Sequence, residues 1–256
     1  MKTKNPKDNW NAEYYKKHSQ GQFKRGISTL QEIKLHGNEH ILDVGCGDGR
    51  ITAEFAKKVP QGSVLGIDIS PNMIAEAKKS FGDIKNLAFQ CVDAAVFASD
   101  KKFDLAVSNA TFHWIKDQTG ALKNIYNHLK PGGKLIIKMT ALHKGPVSQV
   151  QESQKWVALL STKEQTHFPQ TIESFSDMLK QCGFNNIDVK LNIVLQTFPG
   201  KEDLFNVLFA WVPHFTGLPD DKAREFTQDV VETVCNTRQD GQIIVETALL
   251  DARAIK

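Results

Sequence analysis

A doubly wound α/β fold, with a parallel sheet covered by helices on both faces, follows from two features of this 256-residue chain. Short β-rich runs alternate with helix-period segments through its middle, the pattern that parallel strands joined by crossover helices require. The first run also passes directly into three closely spaced glycines and then a helix, ILDVGCGDGRITAEF, a turn that such sheets place at the carboxyl end of a strand.

The elements follow in order. Up to about Leu35, the segment carrying Trp10, Tyr14, Tyr15 and Phe23 is amphipathic and reads as a helical cover across the sheet edge. HILDV (40–44), SVLGIDI (63–69), LAFQCVD (87–93), FDLAVSN (103–109) and KLIIKMT (134–140) are bounded by Gly, Pro, Asp or Lys-rich turns and read as strands. Between them ITAEFAKKV (51–59) starts a helix after Gly49, and PNMIAEAKKSF (71–81) has Ser70 as N-cap with Pro71 at its first position. QTGALKNIYNHL (118–129) places Leu122, Ile125, Tyr126 and Leu129 on one stripe and meets the stop signal LKPGG. The stretch 141–168 has no clear strand and reads as a lid-like insertion. TIESFSDMLKQCGF (171–184) resumes a helix closed by Gly183. NIDVKLNIVLQTF (186–198) and IIVETALLDARAI (243–255) read as strands, separated by a helical insertion at about 199–238 that contains FNVLFAWVPHF and REFTQDVVETV. The whole is expected to be one domain, with a cover at 1–35, a core at 36–140, the lid at 141–168 and the rest of the sheet at 169–256.

Composition excludes several classes of function. Hydrophobic residues make up 41% and charged residues 24%, ordinary values for a globular chain. The 32 basic residues nearly balance the 29 acidic ones, and a net charge of +3 gives no field for nucleic acid or an anionic membrane. No apolar run reaches 18 residues and the opening MKTKNPKDNW is polar, so neither a membrane span nor a secretory signal is expected, and the cytoplasm is the expected compartment. Cys46, Cys91, Cys182 and Cys235 are scattered without a CxxC pair, which suggests buried small hydrophobes rather than a disulfide framework, and no metal ligand set is apparent.

The glycine turn carries the strongest chemical signal. Gly45, Gly47 and Gly49 let a ligand lie against bare backbone, but the GxGxG spacing differs from the GxGxxG of dinucleotide enzymes, and Asp43 precedes it. A carboxylate there repels a pyrophosphate and favours a cationic ligand. Asp68 ends the next strand, 19 positions after Gly49, placed either to accept both hydroxyls of a ribose or to stand as a solvated strand-end acid. Asp93 ends the third strand, placed either to receive an adenine amine or to cap a following helix.

ILDVGCGDG, GIDISPNMIAEAK, CVDAA, FDLAVSNATFHWI and LKPGGKLIIK, in that order, closely resemble the class I S-adenosylmethionine-dependent methyltransferases over roughly residues 36–140. The resemblance implies a Rossmann-like seven-stranded sheet whose last strand is antiparallel, with the runs at 186–198 and 243–255 as sixth and seventh strands. It implies S-adenosyl-L-methionine as cofactor, held by Asp43, Gly45, Cys46, Gly47, Asp68, Ile69, Met73, Asp93, Ala94 and Asn109, with Met73 at the edge of the adenine pocket. SNATFHW and the N-terminal YYKKHSQGQFKR resemble the trans-aconitate, juvenile hormone acid and malonyl-carrier-protein methyltransferases. That part of the resemblance places Gln22 near the cofactor carboxylate or the substrate.

Methyl transfer from a sulfonium is an in-line displacement that needs alignment and exclusion of water. A carboxylate acceptor is already ionised at neutral pH and needs no base. The acceptor side therefore falls to His113 and Trp114, just after the fourth strand, and Gln22. Trp114 is expected to wall the pocket or simply pack at a helix start. His113 is expected either to orient the acid, or act as base for a weaker acid, or to be a histidine of the surface or first helical turn. His143 and Lys144 read as solvated loop, Lys24 and Arg25 as a solvated helix face, and Phe205, Phe209, Trp211 and Phe215 as core. The expected function is O-methylation of a small carboxylic acid by a monomer; C- or N-methylation of another metabolite and a non-catalytic cofactor-binding regulator are the alternatives. Nucleic-acid methylation lacks its features, since there is no basic arm and SNAT stands where an NPPY-like tetrad would.

Overall fold

The structure is a computed structural model that describes residues 10–236 and 243–256. The polar residues 1–9 and the last two positions of the expected helical insertion lie outside the described residues.

The core alternates strand and helix as the sequence predicts. In chain order come α1 (Ala12–His18), α2 (Gln20–Gln31), β1 (His40–Val44), α3 (Arg50–Lys58), β2 (Ser63–Asp68), α4 (Pro71–Phe81), β3 (Leu87–Cys91), β4 (Phe103–Asn109), α5 (Gln118–His128) and β5 (Leu129–Thr140). A single 3-10 turn, Phe112–Trp114, separates β4 from α5. The capping chemistry holds: the Ser70 hydroxyl accepts the Met73 N–H at 3.1 Å, and Asp117 accepts the Gly120 N–H at 2.8 Å. β5 starts five residues before the expected Lys134, because Leu129 pairs with Phe103 and the ladder with β4 resumes at Lys134 after an irregularity.

Beyond β5 lie α6 (Pro146–Gln151), α7 (Gln154–Leu160), α8 (Ile172–Gln181), β6 (Asn185–Phe198), α9 (Lys201–Phe209), α10 (Val212–Thr216), α11 (Asp220–Asn236) and β7 (Ile243–Ile255). The seven strands form one sheet in the order β3-β2-β1-β4-β5-β7-β6. β1 to β5 pair in parallel, and β7 inserts antiparallel between β5 and β6.

Three apolar clusters support this sheet. One unites the inward residues of β4, β5 and β7 with α5 and α8, through Leu122, Ile125, Phe175 and Leu179. A second seats α3 and α4 on the other face through Phe55, Ala56, Ile74 and Ala77. The third binds the insertion to the late helices, with Trp156 against Phe226 and its indole N–H donating to Asp229 at 2.7 Å. Phe205, Phe209, Trp211 and Phe215 pack against that cluster, as expected for core.

Two expectations change. The N-terminal cover does not cross a sheet edge: α2 packs on α3 and on β4, a central strand, while α1 reaches α4. Lys138 and Arg253 hold the far end of α2 down by pairing with Glu32, so the cover closes over the carboxyl ends of the strands. Of the cysteines, Cys46 and Cys182 are buried, Cys235 is half-buried and Cys91 is exposed, because Cys91 is the last residue of β3 and its side chain faces outward. No helix among the described residues is long and apolar enough to cross a membrane.

Candidate active site

A cavity of about 500 Å³ opens at the carboxyl ends of β1, β2, β3 and β4, beneath α1 and α2. That volume is typical of small-molecule sites, and the position is where open α/β sheets bind ligands. Gln22, Asp43, Gly45, Cys46, Gly47, Asp68, Ile69, Met73, Asp93, Ala94, Asn109 and Trp114 all line it. Among the sequence-predicted residues only His113 stands outside.

The loop after β1 is fixed from its backbone outward. The N–H groups of Gly45 and Cys46 donate to the Ile67 carbonyl at 2.8 and 3.0 Å. The Gly47 N–H donates to Asp68 Oδ2 at 2.9 Å, and Asp68 Oδ1 accepts the Ser70 N–H at 2.9 Å. Asp68 thereby ties the glycine turn to the cap of α4 at the cavity wall. Gly47 has φ of +54°, and a Cβ there would meet no protein atom within 4 Å. The loop thus presents bare backbone to the cavity, a cradle suited to a ligand that lies flat against it.

Asp43 is only 2% exposed and accepts the Thr52 hydroxyl at 2.8 Å. Burial, reinforced by the nearby Asp68 charge, pushes its pKa up to about 7. Because that is above the unfolded value, the folded protein holds a proton that the unfolded chain releases. The resulting stabilisation is complete below about pH 4 and is lost as pH rises through 7. Relative to an Asp43→Asn variant, the ligand-free protein is expected to lose about 3 kcal/mol of stability between pH 4.5 and 7.5. Thermal melts of both proteins across that range check it, and parallel pH dependences would refute it.

Asp93 is not a helix cap, for no helix follows it before β4. Its Oδ1 accepts the Ala95 N–H at 2.9 Å within a turn. Ala94 is buried at its side, and Ile69 is more than half exposed on the cavity rim, together with Met73 forming an apolar slot between the ends of β2 and β3. Beyond β4, one end of the Asn109 amide meets the Thr29 hydroxyl at 2.8 Å, while the other end is buried with no protein partner. A buried amide end without a partner is costly, and a polar ligand atom would satisfy it.

The opposite wall is aromatic. Trp114 packs edge-on against Trp10 at 5.8 Å and against His214 at 5.0 Å, and Trp10 stacks on His214 at 4.6 Å. Both expectations for Trp114 hold together, since it is packed and also walls the cavity. His113 lies behind it, 4% exposed, with Nδ1 accepting the Thr140 N–H at 3.1 Å and its carbonyl accepting the Phe168 N–H at 2.7 Å. Burial, with the positive fields of His167, Arg25 and His214, pulls its pKa well below the ordinary imidazole value. His113 thus joins the end of β5 to the segment before α8 behind Trp114; it is not a surface histidine, and it does not line the cavity.

Sequence reasoning did not assign Tyr15, Asp48 or Arg50 to the cavity lining, and it read Arg25 as a solvated face. Asp48 is buried and receives Arg50 Nε at 2.8 Å, while Arg50 Nη2 donates to Ser19 Oγ at 2.6 Å, anchoring the cover to the loop. Asp48 was legible as part of GCGDG, but the link that its partner Arg50 makes to Ser19 on the N-terminal segment was not. Tyr15 faces the same acids, and burial pushes its phenol up to about 12. Arg25 is half-buried rather than a solvated face like Lys24, and lines a side cavity described below. His143 and Lys144 are exposed loop residues, as expected. Among the described residues no group of three or more metal-ligating side chains converges.

Residues 42–135 match a family described as a methyltransferase domain. The malonyl-[acyl-carrier protein] O-methyltransferase 1 of Ilyobacter polytropus is 38% identical over 117 residues, 44% of each chain. The match to the juvenile hormone acid O-methyltransferase of Drosophila melanogaster is 29% identical and longer, covering 81% of this chain and 74% of the relative. The chain thus spans less than half of the first relative and about three quarters of the second. In fold it is similar to a Haemonchus contortus phosphoethanolamine N-methyltransferase 2 solved with S-adenosyl-L-methionine, with a TM-score of 0.63, 22% identity, and coverage of 91% of this chain and 52% of that one.

Proposed function

Because the chain belongs to the class I S-adenosylmethionine-dependent methyltransferases, we propose that it methylates a carboxylate oxygen of a small acid, with S-adenosyl-L-methionine as donor. One observation carries this reading: a single cavity joins an acid-lined end at β2 and β3 to an aromatic wall, with the bare Gly47 backbone and an unpartnered Asn109 amide end between them.

The residues present fit that donor. Asp68 is placed for ribose hydroxyls, and Asp93, Ala94, Ile69 and Met73 for an adenine. The Asp68 charge favours a cation over a pyrophosphate. When bound, S-adenosyl-L-methionine supplies an electrophilic methyl carbon on a positively charged sulfur. The chain's own task is then to hold a carboxylate in line with that carbon and to keep water out, which Trp10, Trp114 and His214 do by walling the cavity. An ionised acid gives up no proton in the step, so no base is required of His113, which lies behind the wall and is turned inward to the backbone.

The O-methylating relatives named for malonyl-carrier-protein and juvenile hormone acid support a carboxylic acceptor, and a net charge of +3 supports a small molecule over nucleic acid. The reading takes the protein to act as a monomer in the cytoplasm. Titration calorimetry with S-adenosylhomocysteine is expected to show saturable binding, and a screen of acids with methyl-labelled donor is expected to yield base-labile esters. Absence of binding by the folded protein overturns the cofactor; label found only on carbon, nitrogen or phenol oxygen overturns the acceptor class.

A further inference from the structure

The charges that line the main cavity are already matched by one another. Besides the ring of His214, which stacks on Trp10 at 4.6 Å, the cationic side chains in its lining are Arg50 and Lys116. Arg50 pairs with Asp48 at 2.8 Å and Lys116 with Glu164 at 2.9 Å. Asp68, Asp93 and Asp117 accept backbone N–H groups instead, from Gly47 and Ser70, from Ala95 and from Gly120. A side cavity of about 50 Å³ shares Gln22, Asn109 and Ala110 with the main one and is lined by Arg25 and by Lys138, which pairs with Glu32 and Asp251. Neither cation lines the main cavity, whose aromatic wall stands opposite Asn109 and is extended by Ile115 and Phe168. The polar groups of that wall are turned away from it: the Thr166 hydroxyl donates to the carbonyls of His214 and Phe215 at 3.1 and 3.0 Å, and the Phe168 carbonyl accepts the Gln118 amide at 2.8 Å.

We propose that the acceptor is a monoanion, a monocarboxylic acid with an uncharged, apolar body whose only charge is the carboxylate that takes the methyl group. This inference rests on the carboxylate-methylating reading above. In that transfer an acceptor oxygen bonds to the methyl carbon with its own electron pair, and the pair of the carbon–sulfur bond leaves with sulfur. One negative and one positive charge disappear together, so the reacting carboxylate has its counter-charge from the donor and needs none from the protein. A second carboxylate on the same acid has no such partner. Held along the aromatic wall it would lose its water without gaining an ion pair, and at the exposed end of the cavity it would face the carboxylate of Asp117. An apolar body instead gains from burial against Trp10, Trp114 and Phe168, each buried methylene being worth about fourfold in affinity.

Initial rates with methyl-labelled donor, taken at about pH 8 where an ordinary imidazole is neutral, compare octanoate, octanedioate and the monomethyl ester of octanedioate. Octanedioate is expected to show kcat/KM about a hundredfold or more below octanoate, while the monomethyl ester, whose far end is uncharged, stays within about tenfold of octanoate. From butanoate to octanoate kcat/KM is expected to rise about threefold per methylene. Binding gives a second readout that needs no turnover: in calorimetry on the S-adenosylhomocysteine complex, dimethyl octanedioate is expected to bind about tenfold or more tightly than octanedioate. Gln165→Arg, which adds a cation at an exposed lining position, is expected to narrow that gap and to raise kcat/KM for octanedioate about tenfold with octanoate little changed. The monoanion is overturned by a gap under tenfold between octanedioate and its monomethyl ester, by equal rates from butanoate to octanoate, or by a preference for 8-aminooctanoate over octanoate. Those outcomes leave carboxylate methylation standing. A folded protein that binds S-adenosylhomocysteine but esterifies none of these acids overturns the carboxylate reading itself, and this inference with it.

Discussion

Asp68→Ala is expected to fold and to bind S-adenosylhomocysteine about a hundredfold or more weakly than the wild type. Both carboxylate oxygens are oriented by backbone donors at 2.9 Å, from Gly47 on one side and Ser70 on the other, so the group is held rigid before any ligand arrives. Hydrogen bonds to a charged group contribute roughly 1.5–3 kcal/mol each, and losing two to a ribose corresponds to about two to four orders of magnitude in affinity. The fold survives because α4 keeps its own cap, the Ser70 hydroxyl on the Met73 N–H, and the Gly47 N–H is freed toward an open cavity. Asp68→Asn retains one accepting oxygen without the charge and should lose roughly tenfold, a neutral hydrogen bond being about half as strong. Asp93 makes a weaker test, since its Oδ1 also serves the turn at Ala95. Titration of S-adenosylhomocysteine into a folded Asp68→Ala protein with affinity within threefold of wild type would remove Asp68 from the site.

How much of this site could be read in the sequence depended on distance along the chain. The glycine turn, Asp68 and the cap at Ser70 are local, and short-range chemistry placed them within a residue of where they lie. β1, β4, α4 and β7 were legible to their end residues, because strand alternation and an N-cap followed by proline leave little freedom. What stayed hidden came from contacts between distant segments. Whether an amphipathic helix lies at a sheet edge or over the strand ends depends on pairs such as Glu32 with Lys138 and Arg253, separated by more than a hundred residues. Arg25 looked like a solvated cation for the same reason: its surroundings are built by β4, β5 and β7. The inward turn of His113 required the end of β5, whose Thr140 N–H it accepts. Cys91 misled differently, since a thiol at the last position of a strand faces solvent as readily as core.

Two alanine substitutions only two residues apart, at Gly45 and Gly47, are expected to fail in opposite ways. At Gly45 a Cβ would lie 2.0 Å from Thr111 Cγ2 and 2.4 Å from Thr111 Cβ, with φ of +74°. Thr111 cannot swing aside cheaply, because its hydroxyl donates to the Gly45 carbonyl at 3.1 Å and its backbone carbonyl accepts the Trp114 N–H at 2.7 Å. Overpacking and left-handed strain together are expected to cost about 2–5 kcal/mol, which for a domain of this size lowers Tm by roughly 5–15 °C. At Gly47 the strain alone remains, about 1–2 kcal/mol, since the new methyl meets no protein atom. That methyl instead stands where a flat ligand would lie, so Gly47→Ala is expected to melt only a few degrees below wild type and yet lose tenfold or more in S-adenosylhomocysteine affinity. Gly47→Val should deepen the affinity loss much more than the stability loss. Melting curves and calorimetry on the three variants check the contrast: normal affinity in Gly47→Ala would move the ligand off the loop, and a wild-type Tm in Gly45→Ala would mean that Thr111 does not crowd it. The pair matters because the two glycines share one motif, and only the neighbour each Cβ would meet decides whether the motif serves the fold or the ligand.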